Sequence, residues 1–336
     1  MTSNLDFTPD YAIRLLENPT LEAWKEVYAV HSKHNNVYHQ WLNLVKRQPN
    51  PIEIQSVEDI PHLPISAFKH HKIILDGFKE KLVFRSSGTT GLRSKHYVAF
   101  PEVYLWSLYH GFKLHFGNPE EYWHIALLPG YEERPDSSLI YMVKRLMEHA
   151  GQAASEFFVG LKPEKLIPLL GSLPSNRKII LWSVPYALLD LVQKNIKLPS
   201  DITIIETGGM KGRGPEWSRQ QLHEYLQQNL GVKTILSEYG MTELLSQAYT
   251  TPEKPFRFKT PPWMKVWTRD LYVPFKKAPY GKAGVLCIAD LANVFSVPFI
   301  ETEDIGIVYE DGTFEVLGRL EYCEIRGCNL LYEEFG

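Results

Sequence analysis

The stretch KIILWSVPYALLDLVQKNIKLPSDITIIETGG, residues 178–209, decides the fold. Two apolar runs, IILWSV and ITIIET, flank an amphipathic segment that starts at Pro185. This pattern predicts two buried strands joined by a helix, and such a crossover makes the two strands parallel. The second strand runs into Gly208 and Gly209. Because ligands of parallel α/β sheets collect beyond the carboxyl ends of strands, these glycines are candidates for a binding crevice.

The same alternation extends over about residues 100–245. Its other strand-like runs are HIALLPG, SEFFVG and TILSEYG, and its other helix-like segments are SSLIYMVKRLMEHAG, EKLIPLLGSL and PEWSRQQLHEYLQQNLG. The first 70 residues or so have helical periodicity, whereas short β-like runs follow Thr250. Among them, Asp311-Gly312 is typical of a hairpin turn.

We therefore predict an α/β fold with mostly parallel strands and crossover helices. Residues 1–250 are expected to form a helical N-terminal layer and an α/β core. Residues 251–336 are expected to form a β-rich subdomain with a short tail that carries a cysteine.

Composition excludes several classes of protein. Hydrophobic residues make up 44% of the 336 residues and charged residues 22%, which is typical of a globular chain. The net charge of −3 provides no basic surface for nucleic acid. We find neither a secretory signal nor a membrane span, and the three cysteines are an odd number that favours a reducing compartment. The expected location is the cytoplasm.

The sharpest local feature is RSSGTTGLRSK, residues 85–95, which follows the apolar run KLVF. Its glycines allow a tight turn that exposes successive N–H groups, and its hydroxyls add donors for phosphate oxygens. The segment therefore predicts a phosphate cradle, although it lacks the Walker pattern. A flexible Ser/Thr/Gly surface loop is the alternative.

Two further segments carry groups suited to a nucleotide. In SEYGMTE, residues 237–243, Tyr239 could stack on a base and Glu243 could bind a hard cation. Equally, Tyr239 could be a core aromatic and Glu243 an ordinary helix N-terminal charge. In ETEDIG, residues 301–306, a carboxylate could accept ribose hydroxyls, with Arg319 nearby in the sequence. An acidic turn is the alternative there.

The order and spacing of these three segments resemble the adenylate-forming superfamily of acyl-CoA synthetases, luciferases and peptide-synthetase adenylation domains. Within it, the chain looks most like the acyl-protein synthetases, the fatty-acid ligases of bacterial luminescence. The strings that carry this likeness are IPHLPISAFKHHKI, FRSSGTTGLRSKHYV, LLPGYEERPDSSLIYM, LWSVPYALLD, ETGGMKGRG, SEYGMTELLSQAY and GRLEYCEIRGCNL. The fold implied is that of the large N-terminal-type domain of these enzymes.

The resemblance implies ATP and Mg²⁺ as ligands and a carboxylic, fatty acid as substrate. It assigns the ATP phosphates to Ser86, Ser87, Gly88, Thr89, Thr90 and Gly91, the adenine to Gly208, Gly209 and Tyr239, the α-phosphate to Thr242, Mg²⁺ to Glu243, and the ribose to Asp304 and Arg319. Thr90, Thr242 and Glu243 are thereby candidate catalytic residues.

The chain departs from the superfamily after Gly318, because only 18 residues follow where the common architecture continues into a mobile domain with a catalytic lysine. We expect that domain to be absent. Lys211 is the catalytic cation that we select, with Arg213, Arg93 and Lys95 as alternatives.

Cys328 matches the position of the near-terminal acyl-accepting cysteine of the acyl-protein synthetases. Arg326 would favour its thiolate, and a buried structural cysteine is the alternative. Cys323 is assigned no role. The expected acceptor is therefore a protein thiol, with an acyl reductase as a possible partner protein.

Two rival functions remain at this stage. One is a coenzyme-A ligase resembling the phenylacetate ligases, and the other is a non-catalytic nucleotide-binding remnant. The cluster of Glu132, Glu133, Arg134 and Asp136 is expected to be a solvated loop rather than part of the acyl pocket, and His70 and His71 are expected to pack or cap.

Overall fold

A computed structural model describes residues 7–87, 92–128, 134–208 and 217–320. Helices in these ranges are α1 (Pro9–Glu17), α2 (Leu21–His34), α3 (Asn36–Val45), α4 (Ala67–His70), α5 (Pro101–Phe116), α6 (Ser138–His149), α7 (Ala154–Phe157), α8 (Pro163–Ser172), α9 (Pro185–Gln193) and α10 (Arg219–Leu230). Strands are β1 (Leu63–Pro64), β2 (Leu82–Arg85), β3 (Lys95–Val98), β4 (Tyr122–Leu127), β5 (Lys178–Ser183), β6 (Thr203–Thr207), β7 (Thr234–Tyr239), β8 (Ala248–Thr251), β9 (Lys254–Lys259), β10 (Met264–Arg269), β11 (Ala283–Asp290), β12 (Phe299–Val308) and β13 (Phe314–Arg319).

The main sheet has a parallel half and an antiparallel half. Strands β4, β5, β6 and β7 pair in that order and are parallel, with α9 crossing from β5 to β6 as the opening stretch predicts. Antiparallel strands β8 and β9 then lead to β13, β12, β11 and β10. The two halves meet where β7 pairs with β8, and a single register pair, Phe258 with Phe314, connects β9 to β13. The predicted parallel strands with crossover helices are thus confirmed for β4 to β7, but the sheet is mixed rather than mostly parallel, because the pairings from β8 to β13 are antiparallel.

Helices α1, α2 and α3 occupy the N-terminal stretch in which the sequence has helical periodicity. Thr8 caps α1 and Thr20 caps α2, while Asn35 ends α2 and caps α3 through its side-chain oxygen. Asn35 also donates from Nδ2 to the carbonyl of Ser296 at 2.5 Å, and His31 Nε2 lies 2.8 Å from the carbonyl of Val294. These buried bonds attach the helical layer to the turn that precedes β12.

The segment SEFFVG is the clearest error of the strand predictions. Its first half lies in α7, and only Phe158 forms an isolated parallel bridge, with Ala126 of β4. Phe157 stacks on Trp123 at a centroid distance of 5.7 Å and a plane angle of 7°. Short apolar runs fit a strand or a buried turn of helix equally well by pattern, and packing against β4 decides this one.

The Asp311-Gly312 hairpin is confirmed. Strands β12 and β13 pair antiparallel on either side of it, and Asp311 Oδ1 accepts a hydrogen bond from the N–H of Thr313 at 3.0 Å. Gly312 has φ +78°, a conformation that a side chain would disfavour.

No helix within the described ranges is long and apolar enough to cross a membrane.

Five histidines of the described residues are at most 6% exposed, and burial shifts the pKa of four of them: His31, His62, His96 and His124. Burial disfavours the charged imidazolium and lowers the pKa from 6.5 to about 4 for His31, His96 and His124, and to about 3 for His62. Glu238 and Asp290 have the opposite effect on the pH dependence of stability, because burial raises the pKa of these carboxyls to about 7 and about 6.

We predict that acid destabilises the protein through these histidines. Between about pH 6.5 and 4 the unfolded chain binds protons that the folded chain does not, so stability falls as the pH falls. Each histidine should contribute roughly 2 kcal/mol between pH 6.5 and 5. Urea unfolding should therefore show a pH dependence about 2 kcal/mol smaller in His124→Gln than in the natural protein. An unchanged dependence would contradict the prediction, and His110→Gln, at an exposed position of α5, is the control.

Candidate functional site

Tyr239, Asp304 and Arg319 meet at one carboxylate. Tyr239 is the last residue of β7, and its hydroxyl donates to Asp304 Oδ2 at 2.8 Å. Arg319 ends β13 and lies directly across from Asp304 of β12, to whose Oδ1 its Nε donates at 3.1 Å. The site therefore lies where the carboxyl end of the parallel half reaches the antiparallel half.

Tyr239 is itself a core residue. Its ring is 8% exposed and packs against Phe258 and Phe314 at centroid distances of 5.6 and 5.3 Å. Burial and the neighbouring Asp304 carboxylate raise the pKa of its hydroxyl far above 10, so it stays protonated and donates to Asp304. The core-aromatic interpretation is therefore correct for its packing, while its hydroxyl orients the Asp304 carboxylate.

The ends of the Ser/Thr/Gly segment close a hairpin. Strands β2 and β3 pair antiparallel, the N–H of Ser86 donates to the carbonyl of Ser94, and the N–H of Ser94 donates to Ser86 Oγ, both at 3.1 Å. Ser87 is exposed. Gly88, Thr89, Thr90 and Gly91 lie outside the described residues. We call residues 85–95, for which the sequence predicts phosphate binding, the phosphate hairpin.

Glu243 connects this hairpin to the Asp304 group. Its side chain is 5% exposed and accepts a hydrogen bond from the side chain of Ser94. Burial raises the pKa of Glu243, and the bond from Ser94 and the positive charge of Arg319 partly offset that rise. Glu243 is thus a buried carboxylate between the phosphate hairpin and Arg319.

A second buried carboxyl lies beside Tyr239 on the other face of β7. Glu238 Oε2 accepts a hydrogen bond from the hydroxyl of Thr207, the last residue of β6. A Cβ on Gly240 would lie 2.3 Å from Glu238 Oε1, so a side chain here would displace the Glu238 carboxyl. Gly208 follows Thr207 with φ +78°, which favours glycine. These contacts place Gly208 and Gly240 at the same carboxyl edge of the sheet.

Several other sequence candidates lie outside the described ranges. They are Gly209, Lys211 and Arg213 after β6, Glu132 and Glu133 after β4, and Cys323 and Cys328 near the chain end. Among the alternative cations, Lys95 is exposed, whereas its neighbours Ser94 and His96 are buried, so it lies on the other face of β3. His70 and His71 are both exposed.

Arg134 and Asp136 brace the base of the hairpin and are not simply solvated. Arg134 donates from Nη2 to the carbonyl of Ser86 at 3.4 Å, and Arg85 Nη1 lies 3.3 Å from Asp136 Oδ2. The backbone N–H of Arg85 also donates to the carbonyl of Asp136 at 2.9 Å. The expectation of a solvated loop was therefore wrong for these two residues, because charge and backbone pairing both attach them to β2.

Sequence reasoning missed the side chains that hold Thr242 and Glu243 in place. Residues 241–246, here called the Thr242 segment, form neither helix nor strand. Its backbone is bonded by His96 to the Thr242 carbonyl at 2.9 Å and by Asn293 Nδ2 to the Glu243 carbonyl at 2.7 Å. Buried polar residues in strand-like runs were the available signal, because such groups need partners.

The residues present fit a magnesium ion bound together with phosphates. Across the described ranges, no group of three or more His, Cys, Asp or Glu side chains could hold a metal by itself. Mg²⁺ usually binds through one or two carboxylates and substrate phosphates rather than a complete protein cage. Glu243 beside the phosphate hairpin supplies one such carboxylate.

We predict that Tyr239 and Asp304 are energetically coupled. Tyr239→Phe should cost about 1–2 kcal/mol in unfolding free energy, because a hydrogen bond to a carboxylate is lost. In a double-mutant cycle with Asp304→Asn, the two costs should fall short of additivity by about 1 kcal/mol. Urea denaturation measures all four proteins. Glu303→Gln, next to Asp304 but paired with Lys69, is the control, and strict additivity would contradict the coupling.

No family model matches the sequence, and no curated protein matches it. Solved structures do. A 2-hydroxyisobutyryl-CoA ligase, crystallised in an open conformation with 2-HIB-AMP and CoA, matches with a TM-score of 0.68 at 12% identity, over 90% of this chain and 69% of that one. ATP-bound MatB from Rhodopseudomonas palustris matches with a TM-score of 0.55 at 18% identity, over 73% of this chain and 49% of that one.

A third match is a long-chain-fatty-acid-CoA ligase, FadD1, from Archaeoglobus fulgidus, with a TM-score of 0.52 at 16% identity, over 73% of this chain and 53% of that one. The chain thus spans about half the length of MatB and FadD1. At such identities the likeness concerns the fold alone. The structure shares its mixed α/β fold and large sheet with these matched structures.

Proposed function

We propose that this protein uses ATP to activate a carboxylic acid as an acyl-AMP. The observation that carries the proposal is the contact between the phosphate hairpin and Glu243, beside the carboxylate shared by Tyr239 and Arg319. Groups suited to phosphate, metal and ribose are thereby brought to one edge of a sheet. The fold of the matched ligases supports the same chemistry.

In the proposed complex, the turn from Ser86 to Gly91 binds the phosphates of ATP, and Gly208, Gly209 and Tyr239 border the adenine. Asp304 binds the ribose. Its two oxygens already accept one bond each, from Tyr239 and Arg319, but a carboxylate has about four acceptor sites, so two remain for ribose hydroxyls. The existing bonds orient Asp304 before the nucleotide arrives.

The first reaction is attack of a carboxylate oxygen of the acid on the α-phosphorus of ATP. A C–O–P mixed anhydride forms, the bond from the α-phosphorus to the bridging oxygen breaks, and pyrophosphate leaves with its electron pair. Mg²⁺ held by Glu243 and phosphate oxygens would neutralise part of the charge. Thr90 and Thr242 donate to phosphate oxygens, and Lys211 is the proposed cation at the α-phosphate.

The second proposed reaction transfers the acyl group to the Cys328 thiol. The sulfur attacks the acyl carbonyl carbon, a thioester forms, AMP leaves, and the thiol proton is released. Cys287, the cysteine within the described part of the chain, is a poor acceptor. It is 3% exposed, and burial raises the pKa of its thiol well above the ordinary value. The acid is proposed to be fatty, as the sequence resemblance implies, with an acyl reductase as the eventual recipient.

A coenzyme-A ligase is the second candidate. The likeness to a ligase crystallised with CoA, over 90% of this chain, favours it. The two candidates share the first reaction and differ in the acceptor of the second.

The first step predicts acid-dependent exchange of labelled pyrophosphate into ATP. A panel of fatty and aromatic acids should include at least one that supports exchange. Glu243→Gln should reduce that exchange by roughly 10²-fold or more, because a charge near the phosphates is removed. Glu224→Gln, which removes a carboxylate at an exposed position of α10, is the control. Bound ATP without exchange for any acid would reject acid activation.

The second step predicts a thioester on the protein. Intact mass after incubation with ATP and the best acid should show one added acyl group, which hydroxylamine removes. Cys328→Ser should abolish the added mass but leave pyrophosphate exchange unchanged, and Cys287→Ser should retain both. Undiminished acyl-CoA formation by Cys328→Ala, with no added mass on the natural protein, would favour the coenzyme-A ligase.

A further inference from the structure

Two side chains at the start of β3 contact the consecutive residues Thr242 and Glu243 of the Thr242 segment. Ser94 directly precedes β3 and His96 is its second residue, so their side chains point to the same side, and both are buried. Ser94 donates to the Glu243 carboxylate, and His96 Nδ1 lies 2.9 Å from the Thr242 carbonyl oxygen. The strand that continues the phosphate hairpin thus supports the two residues proposed to meet the α-phosphate and the metal.

His96 is held at both ring nitrogens. Its Nε2 lies 2.8 Å from Ser296 Oγ, and its ring is 0% exposed and packs edge-on against Phe68 at 5.6 Å. A carbonyl oxygen can only accept, so Nδ1 carries the proton and donates to Thr242, while Nε2 accepts from the Ser296 hydroxyl, whose other acceptor is the Asn293 carbonyl at the longer distance of 3.2 Å. The imidazole is neutral and has one orientation that satisfies both partners.

The other contacts attach the Thr242 segment to a different part of the fold. Asn293 bonds the Glu243 carbonyl at 2.7 Å and the N–H of Leu245 at 3.0 Å, and Ser246 Oγ donates to Asp290 Oδ1 at 2.6 Å. Asp290 and Asn293 lie at the end of β11 and in the turn after it. These bonds can keep the segment folded, and they reach the strand of His96 only indirectly, through Ser296.

We propose that His96 is a positioning residue that sets the distance between the phosphate hairpin and Glu243, and so the affinity for the magnesium complex of ATP. The inference rests on the proposed nucleotide site. His96 does not touch the nucleotide in this scheme, and it acts through the Thr242 carbonyl. Ser94 supplies the second contact between the phosphate hairpin and the Thr242 segment, because it bonds to the Glu243 carboxylate that is proposed to bind the metal.

Two variants separate this role from simple core packing. The amide nitrogen of Asn lies as far from Cβ as Nδ1 of His, so His96→Asn can still donate to Thr242 but loses Ser296. The amide of Gln lies at the reach of Nε2, so His96→Gln can still contact Ser296 but loses Thr242. Both place a neutral amide in the same buried site, and they differ in which contact they keep.

Calorimetric titration with ATP and Mg²⁺, without any acid, is the test. The dissociation constant should rise at least tenfold in His96→Gln and less than threefold in His96→Asn. The concentration of Mg²⁺ that gives half-maximal ATP binding should shift in the same order. Urea unfolding of the free proteins should show similar losses for the two variants.

His124 of β4 provides a control for the loss of a buried histidine. It is as buried as His96, and its Nε2 lies 3.0 Å from the carbonyl oxygen of Pro119 rather than near the hairpin. His124→Gln should lower stability and leave the ATP dissociation constant unchanged. Equal ATP affinity in both His96 variants, whether normal or lowered, would overturn the proposal. Because binding is measured without acid, failure of acid activation in the exchange assay leaves this test intact.

Discussion

The carboxylate of Asp304 is the constraint on which the site depends. A buried charge is tolerated only with close partners, and here a tyrosine hydroxyl and a guanidinium supply them from opposite sides. Tyr239 belongs to the parallel half of the sheet, and Asp304 and Arg319 belong to the antiparallel half. These hydrogen bonds therefore cross from one half of the sheet to the other, in addition to the strand pairing, and the proposed nucleotide site lies at that junction.

The Thr242 segment shows how a stretch without helix or strand can still be well ordered. Its backbone groups bond to the side chains of His96 and Asn293, and its Ser246 hydroxyl bonds to Asp290, all from buried positions. The series of hydrogen bonds continues from His96 to the hydroxyl of Ser296, whose carbonyl accepts a bond from Asn35 of the N-terminal helices. Buried polar groups of this kind specify one arrangement, because each unmet partner would be costly. The helical layer thereby supports the proposed metal residue from a distance.

Much of the fold could be predicted from local patterns. Alternation of apolar runs with amphipathic segments identified β4, β5, β6 and β7 and their crossover helix, and Asp311-Gly312 identified the last hairpin. SEFFVG was misassigned, because six apolar-rich residues have no distinguishing period and packing on Trp123 decided their form. The bracing role of Arg134 and Asp136 was missed for a similar reason: it depends on β2, which is distant in sequence.

What the amino-acid order determined by itself is local: where strands alternate with helices, where glycine permits a turn, and which side chains could meet phosphate, metal or ribose. Tertiary structure alone decided the register that sets Asp304 opposite Arg319, and the face of β3 that brings Ser94 and His96 to the Thr242 segment. The physical reason is that burial and hydrogen-bond partners are properties of neighbours in space. The shifts in the pKa values of Glu243 and His96 arise in the same way, from surroundings that no short stretch of sequence contains.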